Sequence, residues 1–178
     1  INGREPDDNA VAKIVPLREE PLPFDRDADK YVLLAWNTLG MTYISDGDAF
    51  FSLQPPGSDL GAVLIRRGEY PELVGGADVE IAYEAPAGFK KPSAHVDFWK
   101  HTPSLLGKEL APDVSDAGRG LDGVMGVNEE TRIFEAADVP VVPYADDGSV
   151  NPYPVFTVTA KDKASGEVVA RTKVAVPV

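Results

Sequence analysis

The sequence predicts a mainly β protein: an immunoglobulin-like antiparallel β-sandwich with a long Gly- and Pro-rich insertion that carries short helices. Several short segments are continuously apolar or alternate between apolar and polar residues, as strands do. Prolines number 16 in 178 residues, nearly twice the usual ~5%, so long helices are not expected. The pattern divides the chain into an extended acidic arm (residues 1–29) and a single β-sandwich domain (residues 30–178), with the insertion at about 86–150.

The first strands follow the arm. "YVLLAWN" at 31–37 is a continuous apolar run, typical of a strand buried on both faces. "AFFSLQ" at 49–54 follows an Asp-Gly-Asp turn and ends at two prolines, which cannot donate to a ladder. "LGAVLIRR" at 60–67 gives a third strand.

Three further segments complete the predicted sheets. "ADVEIAYEA" at 77–85 alternates cleanly, with Val79, Ile81 and Tyr83 on one face, which indicates a half-buried antiparallel strand. Near the end of the chain, "YPVFTVTAKD" and "EVVARTKVAVPV" flank "KASG". Two strands around a Gly-containing loop predict a hairpin.

The insertion contains the helix signals. Asp97 is a plausible N-cap for "DFWKH", and Thr102-Pro103 suggests a new cap and first helical position, with Gly107 as the stop. "NEETRIFEAAD" at 128–138 gives the best helix signal, because an Asn cap precedes two glutamates that suit the positive end of the helix dipole.

Charge and composition exclude several classes of function. The net charge of −12 argues against nucleic acid or an anionic membrane as a partner. No apolar run approaches the ~18 residues of a membrane helix, so no membrane insertion is expected. Without cysteine, disulfides, thiolate metal sites and covalent haem attachment cannot form within this chain. The chain starts at Ile1, which fits a cleaved secretory signal.

"DRDAD" places Asp25, Asp27 and Asp29 at alternate positions, as in a calcium loop. An EF-hand also needs glycine at loop position six and glutamate at position twelve. Those positions hold Lys30 and Trp36. A solvated acidic segment is the simpler interpretation, and weak calcium binding is the alternative.

"YADDGSVNPYP" offers a second calcium candidate through Asp146, Asp147 and Asn151. Asp-Gly and Asn-Pro pairs also build turns without any ion, and that interpretation is favoured. His95 and His101 are six residues apart, which is not the i, i+4 spacing that puts two zinc ligands on one helix face.

The residues give no direct sign of catalysis. The sequence has no G-x-S-x-G nucleophile elbow. Carboxylates are plentiful, so a carboxylate-based hydrolase stays an alternative, although nothing marks a pair at glycosidase spacing. A non-catalytic module is therefore the leading hypothesis.

Two stretches resemble one family. "LLAWNTLGMTYISDGDAFFSLQPP" is similar to its W-N-D-L-G-M-H-C signature with an acidic turn and F-S-x-L-P-P. "DFWKHTPSLLG" and "FEAADVPVVPYADDGSVNPYPVFTVTAKD" resemble its F-W…L-x-G and P-Y-D-D-x-G-x-x-N-P-Y-P patterns. The family comprises secreted c-type-cytochrome-like proteins from metal- and sulfur-respiring bacteria, and the resemblance is to their N-terminal β domain. Thr38, Thr42 and Tyr43 replace the family's Asp, His and Cys.

The resemblance implies an extracytoplasmic β-sandwich module, in the periplasm or at the cell surface, that acts in protein–protein contact or assembly. A c-type cytochrome is one implied partner, and haem is implied only if the natural protein continues past Val178 or a partner supplies it. The residues themselves leave an alternative open: a filament or oligomer subunit that assembles by adding a strand from its N-terminal arm to a neighbour.

Overall fold

The computed structural model describes residues 22–40 and 55–178. In these residues the protein is mainly β, with two antiparallel sheets and one short helix. The elements in chain order are β1 (Tyr31–Asn37), β2 (Ser58–Arg66), β3 (Glu72–Val74), β4 (Val79–Glu84), a 3₁₀ turn (Pro92–Ala94), α1 (Phe98–Leu106), β5 (Asp122–Val124), β6 (Gly126–Asn128), β7 (Ile133–Val139), β8 (Val155–Asp162) and β9 (Val168–Ala175).

The first sheet has the strand order β1-β2-β7-β6. β2 pairs with β7 through residues 58–62 and with β3 through residues 64–66. β3 therefore continues along β2 where the pairing with β7 ends. The second sheet has the order β5-β4-β8-β9. In both sheets the neighbouring strands are antiparallel.

The two sheets share one hydrophobic core. Leu33, Leu60 and Leu64 of the first sheet belong to the same buried cluster as Ile81 and Phe156 of the second. Such burial of two facing sheets is consistent with a β-sandwich. A smaller cluster lies beside it, where α1 packs on the segment after β7 through Val96, Phe98, Trp99 and Val142.

Strand positions predicted from alternation are confirmed. β4 buries Val79, Ile81 and Tyr83, and β8 and β9 pair around the "KASG" loop. The prediction that β1 is buried on both faces is wrong. Leu33 is buried but Leu34 is 49% exposed, because no described element covers the other face of the first sheet.

Residues 86–150 are not simply an insertion with helices. Their second half supplies β5, β6 and β7, and β7 lies between β2 and β6 within the first sheet. The helix predicted over residues 128–138 is therefore wrong. Phe134 and Ala136 alternate into the core as a strand requires.

One helix is present where two short helical signals were predicted. α1 begins after Asp97, whose side chain makes no capping hydrogen bond, and it continues through Pro103. Gly107 ends it in the left-handed conformation with φ of 70°, as predicted, because glycine adopts this conformation without steric cost.

Other predictions fall outside the described residues or are modified by them. Several predictions concern residues outside the described ranges: the "AFFSLQ" strand, the Asp-Gly-Asp turn before it, Thr42, Tyr43 and residues 1–21 of the arm. Residues 25–29, assigned to the extended arm, form a tight turn in which Asp29 N donates to Asp25 O at 2.9 Å. No helix of the described part is long and apolar enough to cross a membrane.

Candidate functional site

The outer face of the first sheet, turned away from the core, is apolar. The strand register fixes which side chains share it, because directly paired residues of antiparallel strands point to the same side. Val32 pairs with Ile65 and Ile65 with Leu73, which gives one apolar row. In the next row, Leu34 pairs with Val63.

A third row contains a tryptophan. Trp36 pairs with Gly61, and Gly61 pairs with Glu135 of β7. A Cβ atom on Gly61 would lie 2.5 Å from Cε2 of Trp36, so the indole ring lies over a position that only glycine can occupy without displacing it. Gly61 is itself buried. The apolar face is defined here as the side chains of Val32, Leu34, Trp36, Val63, Ile65 and Leu73.

Exposure distinguishes this face from an ordinary sheet surface. Leu34 and Leu73 are 49% and 48% exposed, and the other four residues are half-buried. On the outer face of the second sheet several pairs are polar or charged: Thr157 with Lys173, Thr159 with Arg171, and Glu80 with Lys161. Apolar residues are interspersed there, since Ala82 pairs with Val124 and Val155 with Ala175. An antiparallel sheet with one solvated face normally shows that polar pattern. Apolar patches larger than a few hundred Å² mark interaction surfaces, and this face approaches that size.

A groove of about 540 Å³ lies where β1 and β9 approach each other. It is lined by residues 22–24, 31–33 and 169–173 and by Asp29. Each of these two strands is the last of its sheet, since β1 pairs only with β2 and β9 only with β8 in the described part of the chain. The edge of such a strand presents N–H and C=O groups that an added strand can pair with.

The turn at residues 25–29 holds one wall of the groove in place. The guanidinium of Arg67 donates to Asp29 O at 2.6 Å, and it lies 5.4 Å from the ring centroid of Phe24, within cation–π distance. Phe24 is nevertheless 53% exposed. The last residues of the arm are thus anchored at the groove.

The aspartates proposed as calcium ligands in "DRDAD" serve this turn. Asp25 Oδ1 accepts from the N–H groups of Asp27 and Ala28, and Asp29 Oδ2 accepts from Asp25 N. The two backbone hydrogen bonds hold the pKa of Asp25 below its usual range. Asp27 forms an exposed ion pair with Arg26.

The second calcium candidate is also built as a set of turns. Asp146 Oδ1 accepts from the N–H groups of Lys90 and Lys91, both at 2.8 Å. Asp147 Oδ1 accepts from the hydroxyl and the N–H of Ser149, which lowers the pKa of Asp147. Asn151 Oδ1 accepts from Tyr153 N. These oxygens stabilise loop backbone, as the turn interpretation expects.

Each histidine lies near one carboxylate, His95 near Asp147 and His101 near Asp97. His95 packs near Tyr144, with ring centroids 6.2 Å apart, and its Nε2 is buried without a hydrogen-bond partner. His101 lies on α1. Within residues 22–40 and 55–178, no group of three or more His, Asp or Glu side chains is placed to hold a metal ion.

A polar cluster at one end of the first sheet has a structural explanation. Asn37 Nδ2 donates to the fully buried Ser58 hydroxyl, and Asp138 N donates to Asp59 Oδ1 at 2.7 Å. Asp138 adopts a φ of 59° and its Oδ2 accepts from Ala117 N. These bonds tie β1, β2 and β7 together next to the connection between β1 and β2.

Within residues 22–40 and 55–178, the apolar face and the groove are the surfaces best suited to binding. Neither was predicted, because both depend on which strands end a sheet and which face stays uncovered. The apolar run at 31–37 was the available signal for the apolar face, although it was interpreted as burial. Comparison of the chain with protein-family models, with curated proteins and with solved structures found no match.

Proposed function

We propose that this protein is a non-catalytic, extracytoplasmic β-sandwich module that acts in assembly, and that the apolar face of the first sheet packs against the same face of a second copy. The observation that carries the proposal is the contrast between the two outer faces: the first has a contiguous apolar patch, whereas the second mixes apolar residues with charged and polar pairs. The immunoglobulin-like connectivity and a link to a c-type cytochrome, which the family resemblance implies, belong to the same proposal.

The size of the apolar face fits the centre of an interface. Three strands and three rows cover on the order of 250 Å² at ordinary strand spacings. A standard interface buries ~800 Å² per partner, so the apolar face would form its core and the surrounding polar residues its rim. Full burial of one leucine contributes about 1.5–3 kcal/mol, and Leu34 and Leu73 each keep about half of their surface exposed.

A second copy suits this face for an electrostatic reason. The face has no ionisable side chain, and Glu135 stands at the end of the third row. Two-fold related copies would therefore bring apolar rows together without burying like charges. A two-fold contact uses the same patch on both molecules and closes as a dimer.

The test is sedimentation velocity over a range of protein concentrations. We expect the native chain to dimerise with increasing concentration and the double variant Leu34→Glu/Leu73→Glu to stay monomeric, because it would bury four carboxylates at the contact. The matched control is Thr157→Glu/Thr159→Glu on the outer face of the second sheet, which should dimerise as the native chain does. Circular dichroism checks that all three fold. A native chain that is monomeric at every concentration would refute the proposal.

A second mode of assembly is favoured by the groove. Because β1 and β9 both end their sheets beside it, the groove offers strand edges to an incoming segment, as the filament or oligomer alternative requires. The carboxylate-based hydrolase stays a prediction that no feature of residues 22–40 and 55–178 favours.

A further inference from the structure

We propose that the groove between β1 and β9 binds residues 10–15 of the N-terminal arm of a second copy, added as a strand along the edge of β9. This inference deepens the second mode of assembly. Its surface shares only Val32 with the apolar face, and it does not depend on dimerisation there.

The groove has the length and the composition for one short strand. It is lined by five consecutive residues of β9, 169–173, and by three of β1, 31–33. Lining by consecutive residues means that the groove runs along the strand edges and not over a single face. Six added residues would extend ~20 Å, comparable to the eight residues of β9.

The arm supplies a segment of the right kind. Residues 10–15 read "AVAKIV", which is apolar at five of six positions and ends before Pro16. Proline cannot continue a ladder, so the added strand would stop there. The flanks are acidic, with Glu5, Asp7 and Asp8 before the segment and Glu19 and Glu20 after it.

Charge complementarity points to the β9 side of the groove. Arg171 and Lys173 lie at this edge, and Arg171 is exposed. Residues 1–21 carry five acidic and three basic side chains. The one charged residue of the segment is Lys13, so the complementarity lies between its acidic flanks and the basic strand edge.

The prolines favour a second copy over the chain's own groove. Leu22 already lies at the groove, and Pro16 and Pro21 stand at the two ends of the six residues, 16–21, that separate it from the segment. Proline and the residue before it favour extended backbone, at about 3.1 Å per residue. Six residues with this preference would span roughly 20 Å, and these prolines oppose the reversal that a return to the same groove would need.

This contact would be heterologous, because an arm on one molecule meets a groove on the next. Heterologous contacts form rings or open filaments. The predicted product is therefore larger than the closed dimer formed by the apolar face.

The absence of cysteine from the sequence allows a direct test with single introduced thiols in the full chain. One protein carries Ala12→Cys in the arm and a second carries Thr172→Cys in the groove, and the two are mixed and oxidised. We expect a covalent heterodimer on a non-reducing gel. The matched control replaces Thr172→Cys by Val124→Cys, which lies on β5 at the opposite edge of the second sheet, and should give no heterodimer.

The other outcomes would overturn the inference. Equal cross-linking to both positions would mean that the arm has no specific site. Cross-linking only within one molecule, seen in the double variant Ala12→Cys/Thr172→Cys and not in the mixture, would assign the groove to its own arm. Repeating the mixture in the Leu34→Glu/Leu73→Glu background separates the two contacts, because loss of the face dimer should leave the arm cross-link unchanged.

Discussion

Thr102 shows how one buried hydroxyl allows a proline inside a helix. Pro103 has no N–H, so the carbonyl of Trp99, four residues earlier, loses its helical donor. The Thr102 hydroxyl donates to this carbonyl at 3.1 Å instead, and it accepts from Leu110 N at 3.2 Å. The side chain is fully buried, so no water can replace either bond.

Thr102→Val should therefore destabilise the protein. Valine keeps the shape but leaves the buried Trp99 carbonyl and the partly buried Leu110 N–H without their partners, which costs about 1–3 kcal/mol. Thr102→Ser keeps the hydroxyl and is the control, with a smaller loss from the missing methyl group. Urea unfolding measures both. Equal stability of the Val variant and the native chain would contradict this role.

At the scale of elements, β7 shows what local sequence can and cannot predict. Asn128 makes the capping hydrogen bonds that were predicted at the start of this segment, because its Oδ1 accepts from Glu130 N and Thr131 N. The capped unit is only one turn, because Arg132 N donates to Asn128 O and Arg132 then adopts a φ of 59°. The cap signal is local and was identified correctly. The strand that follows is selected by pairing with β2, more than 70 residues earlier, which local propensity does not contain.

The β8–β9 hairpin depends on a carboxylate in its loop. Asp162 Oδ1 accepts from the N–H and the hydroxyl of Ser165, and these bonds lower the pKa of Asp162 below its ordinary 3.8. A carboxyl group whose pKa is lower in the folded state stabilises the fold above pH 3.8, and this contribution is lost as the pH falls through the lowered value.

We therefore expect Asp162→Asn to reduce the acid sensitivity of the fold. Between about pH 5 and about pH 2, the urea midpoint should fall less in the variant than in the native chain. Glu167→Gln removes a carboxyl group from the same loop and should leave the acid sensitivity close to native. A variant as acid-sensitive as the native chain would exclude Asp162 as a contributor.

At the scale of the whole molecule, the net charge of −12 opposes self-association through an apolar contact. Raising NaCl from about 0.1 M to about 1 M shortens the Debye length from about 10 Å to about 3 Å. The repulsion between copies weakens, so the dissociation constant of the dimer that forms through the apolar face should fall as salt is added. Sedimentation equilibrium measures it in the Ile14→Pro variant, which disables the arm segment. A dissociation constant that rises with salt would indicate that ion pairs, and not the apolar face, hold the dimer.

The sequence predicted more of the sheets than of the binding surfaces. Alternation located β4 and the β8–β9 hairpin because each strand buries one face. The apolar face could not be predicted, because a continuous apolar run such as residues 31–37 reads the same whether its second face is covered by this chain or by another molecule. The groove is set by which strands end each sheet, and that depends on long-range pairing.

The two tryptophans of the chain lie in opposite environments. Trp36 is half-buried on the apolar face, whereas Trp99 is 7% exposed and donates its indole N–H to Val114 O at 2.9 Å. A soluble quencher such as acrylamide should therefore reach the emission of the first and largely miss the second. Native fluorescence thus offers two optical reporters without any label, one for the contact surface and one for the interior.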